Sequence, residues 1–212
     1  MSHLLVVEWW KFFAALVLLL TPVALLEGPR VHFRDIDRDW DRHWTQILSL
    51  WLHYFDFARA AIGTWLLLSA LHPVVPAHGL ARYAPLLLQG SIRVLAVFLQ
   101  TVWCREEDSV NAPFAFVTGL ILTGVSPLAA TIALALAIPL AAGARSPVAF
   151  FPLLSIVFTG ASFLFGGKGL FVQSIVGAAA PFVPWLWSLL FRRSLVIPYL
   201  SRQAMRTTPP LP

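Results

Sequence analysis

Two sets of polar residues stand in stretches that are otherwise apolar. The first is His53, Asp56, Arg59 and Gly63; the second is Gln89, Arg93 and Gln100. Steps of three, three and four put the first set on one face of a helix. Steps of four and seven put the second on one face of the next, with Ala96 between. A charge near the middle of a bilayer costs roughly 2.5–3.5 kcal/mol on insertion scales, so each set must face protein or water rather than lipid. The chemistry open to them is narrow. One acid, Asp56, faces two bases, Arg59 and Arg93. The groups can form an interhelical ion pair with amide hydrogen bonds that fixes helix register. Alternatively, the surplus positive charge can receive an anionic substrate or a lipid head group. His53 and Asp56, at i,i+3, have the types of an acid–base pair, but no nucleophile or catalytic motif accompanies them, and a non-enzymatic protein is expected.

The elements that must position these residues are two helices joined by a connector at 72–84. Counted from it at ~1.5 Å per residue, Arg59 lies about 18 Å deep, Arg93 about 12 Å, and Asp56 about 22 Å, level with Gln100. The spacing predicts that Asp56 reaches Arg93 or Gln100 between the two helices.

Of 212 residues, 58% are hydrophobic and 12% charged, about half the charged share of a soluble domain. Several runs exceed the ~18 apolar residues that indicate a spanning helix. The expected fold is all-α: a single polytopic helical membrane domain over 1–191 with six to seven membrane segments, followed by a basic, partly disordered tail at 192–212. The pI of 10.1 does not imply nucleic acid, because the basic residues lie in connectors and the tail, where orientation and anionic lipid account for them. The single cysteine, Cys104, excludes an internal disulfide.

Residues 4–26 are expected as a retained first helix, with Trp9 and Trp10 at the interface. Residues 31–45 carry Phe33, Ile36, Trp40 and Trp44 on one stripe and are expected as an interfacial amphipathic helix. Spanning helices are expected over 46–71 and 85–103, with Asn111 and Pro113 as cap and first-turn proline of the next element. The run 112–142 is too long for one straight span and too short for two. Ser126-Pro127 divides it, predicting a broken helix of halves 112–125 and 128–142. Ala129, Ala133, Ala137 and Ala141 form a small-residue face in the second half, a surface for a homo-oligomer. Helices are expected over 147–165 and 170–191, joined by a tight turn at Gly166-Gly167-Lys168-Gly169.

Two motifs resemble ligand loops and fail on inspection. Asp35, Asp37, Asp39 and Asp41 alternate like the start of a calcium loop, but Trp40 stands where glycine is required and Gln46 where glutamate is. The GGKG turn lacks the earlier glycine and the following Ser or Thr of a phosphate loop. No metal and no cofactor is expected.

Residues 165–187, FGGKGLFVQSIVGAAAPFVPWLW, resemble the central part of the Yip (Ypt-interacting) membrane-domain family. Gly166, Gly167, Lys168, Gly169, Gln173, Pro181 and Pro184 carry the likeness, which covers roughly a fifth of the chain. The resemblance implies a small helical membrane protein tied to membrane organisation or partner binding, without a catalytic site to carry over. The two further helices usual after that segment are not expected in the basic run that follows it here.

Charge bears on the topology. If 112–142 spans once, the basic residues divide nearly evenly across the membrane. If it turns back at Pro127, Arg30, Arg34, Arg38, Arg42, Arg105, Arg145 and the four tail arginines share one side, which the positive-inside rule makes cytoplasmic. The expected protein sits in a bacterial inner (plasma) membrane with its C-terminus cytoplasmic. Its expected role is that of an accessory or scaffold component binding lipid and a membrane-protein partner. The alternative is a small transporter or lipid-handling protein that uses Asp56, Arg59 and Arg93 for an anionic ligand.

Overall fold

The computed structural model describes residues 5–25, 31–35, 50–73, 83–104, 108–124 and 126–200. It is an all-α bundle with short strands at both ends. In chain order the elements are β1 (Leu5–Val7), α1 (Trp9–Leu20), a 3-10 turn (Val23–Leu25), β2 (Val31–Asp35), α2 (Trp51–Ala70), β3 (Leu71–Pro73), α3 (Ala84–Val102), β4 (Ser109–Asn111), α4 (Phe114–Leu122), α5 (Pro127–Gly143), α6 (Phe150–Phe191) and β5 (Ser194–Leu200). Among the described residues, three helical stretches are long and apolar enough to cross a membrane: Ala84–Val102, Pro147–Phe165 and Val172–Phe191. Val17, Ile62, Leu95, Leu136, Ile156 and Leu189 stay exposed on the outer helix faces. A soluble monomer rarely leaves so much large apolar surface uncovered, and the apolar helices indicate membrane integration.

The first helix is shorter than expected. It runs 12 residues, about 18 Å, and stops at Leu20 because Pro22 disfavours helix in the residue before it. At its other end β1 pairs antiparallel with β3, Val7 opposite Leu71, so α1 and α2 lie side by side in opposite directions. The far end carries a sheet of order β2-β5-β4. There β2 is antiparallel to β5, Asp35 opposite Val196, and β4 is parallel to it, Asn111 opposite Val196.

That sheet revises two expectations. Residues 31–35 are strand, not the opening of an amphipathic helix; the rest of the expected helix, 36–45, lies outside the described residues. The expected tail opens with a seven-residue strand at Ser194–Leu200. Ser-Leu-Val-Ile-Pro-Tyr-Leu is rich in β-branched and aromatic residues that favour strand. Pro198 is tolerated because only β2 pairs at that level, so its missing N–H faces an unpaired edge.

The break near Pro127 is present. α4 ends at Leu122 and α5 starts at Pro127, with Ser126 Oγ accepting from Ala129 N at 3.4 Å as N-cap. Proline at the first helical position needs no donor there. The Phe114 ring packs 5.1 Å from that of Phe150 and 4.8 Å from that of Phe151. The start of α4 and the start of α6 therefore meet at one end of the bundle, and the segment between them goes in and comes back.

α6 is a single 42-residue run of helical backbone, yet it is not straight. A Cβ at Gly177 would lie 3.5 Å from Phe158 Cε1, whereas a straight helix would hold those residues roughly 28 Å apart. The helix doubles back between them. The reversal lies between Phe158 and Gly177, and the expected sharp turn at Gly166–Gly169 has helical backbone instead. The alanine face of α5 is also used differently. Ala129, Ala133 and Ala137 are 0% exposed and Ala141 2%, because α5 packs on α6. That face is buried inside the chain.

Glycines mark where helices touch most closely. A Cβ at Gly119 of α4 would sit 2.4 Å from the Phe57 carbonyl oxygen of α2, and one at Gly90 of α3 would sit 2.0 Å from Val176 Cγ1 of α6. Small residues at such crossings let backbones approach and gain packing. Gly119→Ala is expected to destabilise the protein by about 1–3 kcal/mol, as overpacking does, because the obstacle is backbone. Thermal unfolding of the purified protein in mild detergent measures it.

Candidate functional site

The two polar sets do not meet as one network between α2 and α3. α2 packs mainly on α1 and α4, and α3 mainly on α6. Asp56 is buried, and its partner is its own helix neighbour: Arg59 Nε donates to Asp56 Oδ1 at 2.5 Å. The expected reach of Asp56 to Arg93 or Gln100 is not made. Helical geometry explains the choice, since i,i+3 places the two side chains in contact before any other helix arrives.

Arg59 then turns to α1. Its Nη1 donates to the Leu18 carbonyl at 3.0 Å and to the Thr21 carbonyl. Its guanidinium carbon lies 4.8 Å from the centre of the Phe116 ring of α4, a cation–π geometry. The last carbonyls of any helix lack an intrahelical donor, and an arginine there complements the helix dipole. Gly63, one turn along the same face, lies against Leu19, 2.8 Å from its Cγ to an added Cβ. The first set thus reads out α1.

Gln100 joins the same point from α3. Its Nε2 donates to the Thr21 carbonyl at 2.9 Å, and its Oε1 accepts from Val23 N at 2.9 Å. Asn111 Nδ2 donates to the Gln100 carbonyl at 3.2 Å. Asn111 is therefore a strut to α3 rather than the expected cap of the next helix, which shows no side-chain cap bond. The Thr21 carbonyl is where Arg59 and Gln100 converge. The first-helix residues Leu18 and Thr21, and Phe116, were not anticipated as members. Pro22 was the available signal, because it marks a helix end whose carbonyls need donors.

His53 faces elsewhere. Its Nε2 donates to the Pro198 carbonyl of β5 at 3.1 Å, joining the start of α2 to the sheet, so it forms no acid–base pair with Asp56. Gln89 is buried, and the described hydrogen bonds tie it to neither cluster.

Arg93 stands apart. It is 2% exposed. Among the described residues its Nε and Nη2 have no hydrogen-bond partner, and no carboxylate forms an ion pair with it. Its Nη1 lies 3.8 Å from where a Cβ of Gly124 would stand and 3.6 Å from where one of Gly177 would. The guanidinium is thus placed beside the broken segment after α4 and the returning half of α6. Gly90, one turn earlier, permits the close approach to Val176 that puts Arg93 there. The carbonyl end of α4 is nearby, as Ile121 O is 3.1 Å from the same Gly124 position. A helix C-terminus offers roughly half an elementary negative charge, which leaves the cation incompletely balanced. No group of acidic, histidine or cysteine side chains suited to a metal occurs among the described residues.

Searches against protein-family models, curated proteins and solved structures found no match.

The two arginines predict opposite mutational signs. Asp56→Asn strands the buried Arg59 charge and is expected to cost about 3–5 kcal/mol; the added Arg59→Leu change is expected to recover part of it. Arg93→Leu removes an unpaired buried cation and is expected to leave thermal stability in anion-poor buffer unchanged or raised. A loss on Arg93→Leu as large as that on Asp56→Asn would tie both arginines into one network.

Proposed function

We propose that this is a non-enzymatic, multi-pass membrane protein that binds a small anion at Arg93 within its helical bundle. The observation that carries the reading is a buried guanidinium with no described hydrogen-bond or ionic partner. Burying an uncompensated charge costs several kcal/mol, and inside a bilayer ionisable groups that persist mark ligand or ion pathways. Asp56 and Arg59 do not share in the binding. They neutralise each other and hold α1, so the anion site reduces to Arg93. The break at 124–126 lies beside it, and non-helical backbone at membrane depth occurs where it lines a cavity or a binding site. Gly124 and Gly177 approach Nη1 closely, and a guanidinium crowded by backbone favours a small anion such as a halide or nitrate.

A scaffold role rests on the Thr21 junction. Any packed bundle with a short first helix needs such a junction, so it discriminates less than Arg93 does. The six to seven membrane segments expected from the sequence belong to this proposal too, with α1, α2 and the returning α4–α5 pair lying in the membrane beside the three long apolar stretches. The positive-inside argument supports a cytoplasmic C-terminus as part of this reading.

The test is thermal unfolding of the full chain in detergent, titrated with sodium chloride or sodium nitrate against sodium gluconate at constant ionic strength. A saturable rise with chloride or nitrate, absent with gluconate and absent in Arg93→Leu, is expected. By linkage, a site at 100 times its Kd adds about 2.7 kcal/mol. An equal rise in Arg93→Leu would sink the proposal.

A further inference from the structure

A second cationic site lies at the opposite kind of location, where an apolar helix ends. The returning half of α6 is one of the three stretches able to cross a membrane, Val172–Phe191. Its last turns expose Leu186, Leu189, Leu190 and Phe191. The next two residues are Arg192 and Arg193. Arg192 takes a left-handed backbone, φ 52°, which stops the helix without a glycine. Its N–H donates to the Ser188 carbonyl, and Ser188 Oγ donates to the Arg193 carbonyl at 2.6 Å. This reversal sends the chain straight into β5 and holds both arginines at one edge. Between them and the sheet is a cavity of about 500 Å³, to which Ser188, Leu189, Arg192, Arg193 and Ser194 contribute, with Asp35 of β2 on the same wall.

We infer that this cavity is a binding site for the phosphate head group of an anionic phospholipid, with its acyl chains lying along the exposed leucines of α6. Three features converge. Among the described lining residues, two arginines against one aspartate leave the site net positive. Arginine matches the geometry of a phosphate oxygen pair and is the preferred residue for it. The apolar helix delivers the cavity to the level where phosphates lie, since a helix that fills the hydrocarbon core ends at the head-group layer. Ser194 adds a hydroxyl donor at the same edge. The serine, arginine and leucine surfaces fit the three zones of one lipid molecule: glycerol, phosphate and chain. A free phosphate shares only the middle of these. This site is independent of Arg93 and stands or falls separately.

The experiment uses the full chain purified in mild detergent. Phosphatidylglycerol or phosphatidylcholine with identical acyl chains is added in mixed micelles, inorganic phosphate is added separately at matched ionic strength, and thermal unfolding is followed. Phosphatidylglycerol is expected to raise the melting temperature saturably, with little response to phosphatidylcholine or phosphate. Arg192→Gln and Arg193→Gln are each expected to raise the half-saturating phosphatidylglycerol concentration at least fivefold. Arg93→Leu is expected to leave it unchanged. Equal responses to the two lipids, a response to inorganic phosphate matching that to phosphatidylglycerol, or an unaltered response in the Arg192→Gln/Arg193→Gln double variant would each overturn the inference. Should the glutamine variants fail to fold, native mass spectrometry of the unaltered protein in a mixture of both lipids decides. A selectively retained single phosphatidylglycerol supports the site, and retention without preference overturns it.

Discussion

The Thr21 carbonyl is the point on which the bundle depends. Pro22 ends α1 after 12 residues, and the helix's last carbonyls are left without donors. In water such a frayed end is cheap. Inside a packed bundle buried backbone groups must be satisfied within the protein, so donors have to be imported. Arg59 arrives from α2 and Gln100 from α3, and both bond to the same oxygen. That single shared acceptor relates three helices. It also explains why Asp56 is present. A buried arginine serving carbonyls still carries a full charge, and Asp56 neutralises it from one turn away.

Glycine does for the far side of the bundle what hydrogen bonds do for the near side. Gly119 lets α4 lie on the backbone of α2, and Gly90 lets α3 lie on the returning half of α6. Such crossings gain dispersion contact where no hydrophobic force acts between helices in lipid. The same closeness has a consequence at Arg93. With α3 held against α6 at Gly90, the next inward position one turn on is brought to Gly177 and Gly124, where nothing described accepts from it. The tight packing that stabilises this crossing is therefore what leaves the guanidinium enclosed and unbalanced.

Much of this was legible in the sequence, and the limits have physical causes. Asp56, Arg59, Gln89, Arg93 and Gln100 are all buried, as their helical spacing required. Facing inward is a property of one helix, set by the local cost of charge in lipid. The break at Ser126-Pro127 was legible for the same reason, since proline acts on its own turn. Partner identity was not. Whether Asp56 meets Arg59 or Arg93 depends on which helices become neighbours, and that is decided by contacts far apart in the chain. The strands at 31–35 and 194–200 were missed because five to seven residues of mixed apolar pattern fit either period, and the pairing that settles it joins opposite ends of the chain. The doubling back of α6 was anticipated from its glycines, but its helical backbone was not, because glycine permits a turn without requiring one.

The three cationic features form a graded series, and the grading argues for what each does. Arg59 is buried with a carboxylate and carbonyls around it, so its charge is used up in holding α1. Arg192 and Arg193 are exposed at a helix end, where water and lipid phosphates are both available and no internal partner is needed. Arg93 lies between these cases, buried as deeply as Arg59 but balanced by nothing described except the weak dipole of α4. No described residue matches that charge, and it is the one the proposed anion would meet. The series therefore separates structure from binding by a single criterion, which is whether the protein itself supplies the counter-charge. By that criterion the polar stripe of α2 belongs to the architecture, and that of α3 is divided: Gln100 belongs to the architecture and Arg93 to the proposed anion site.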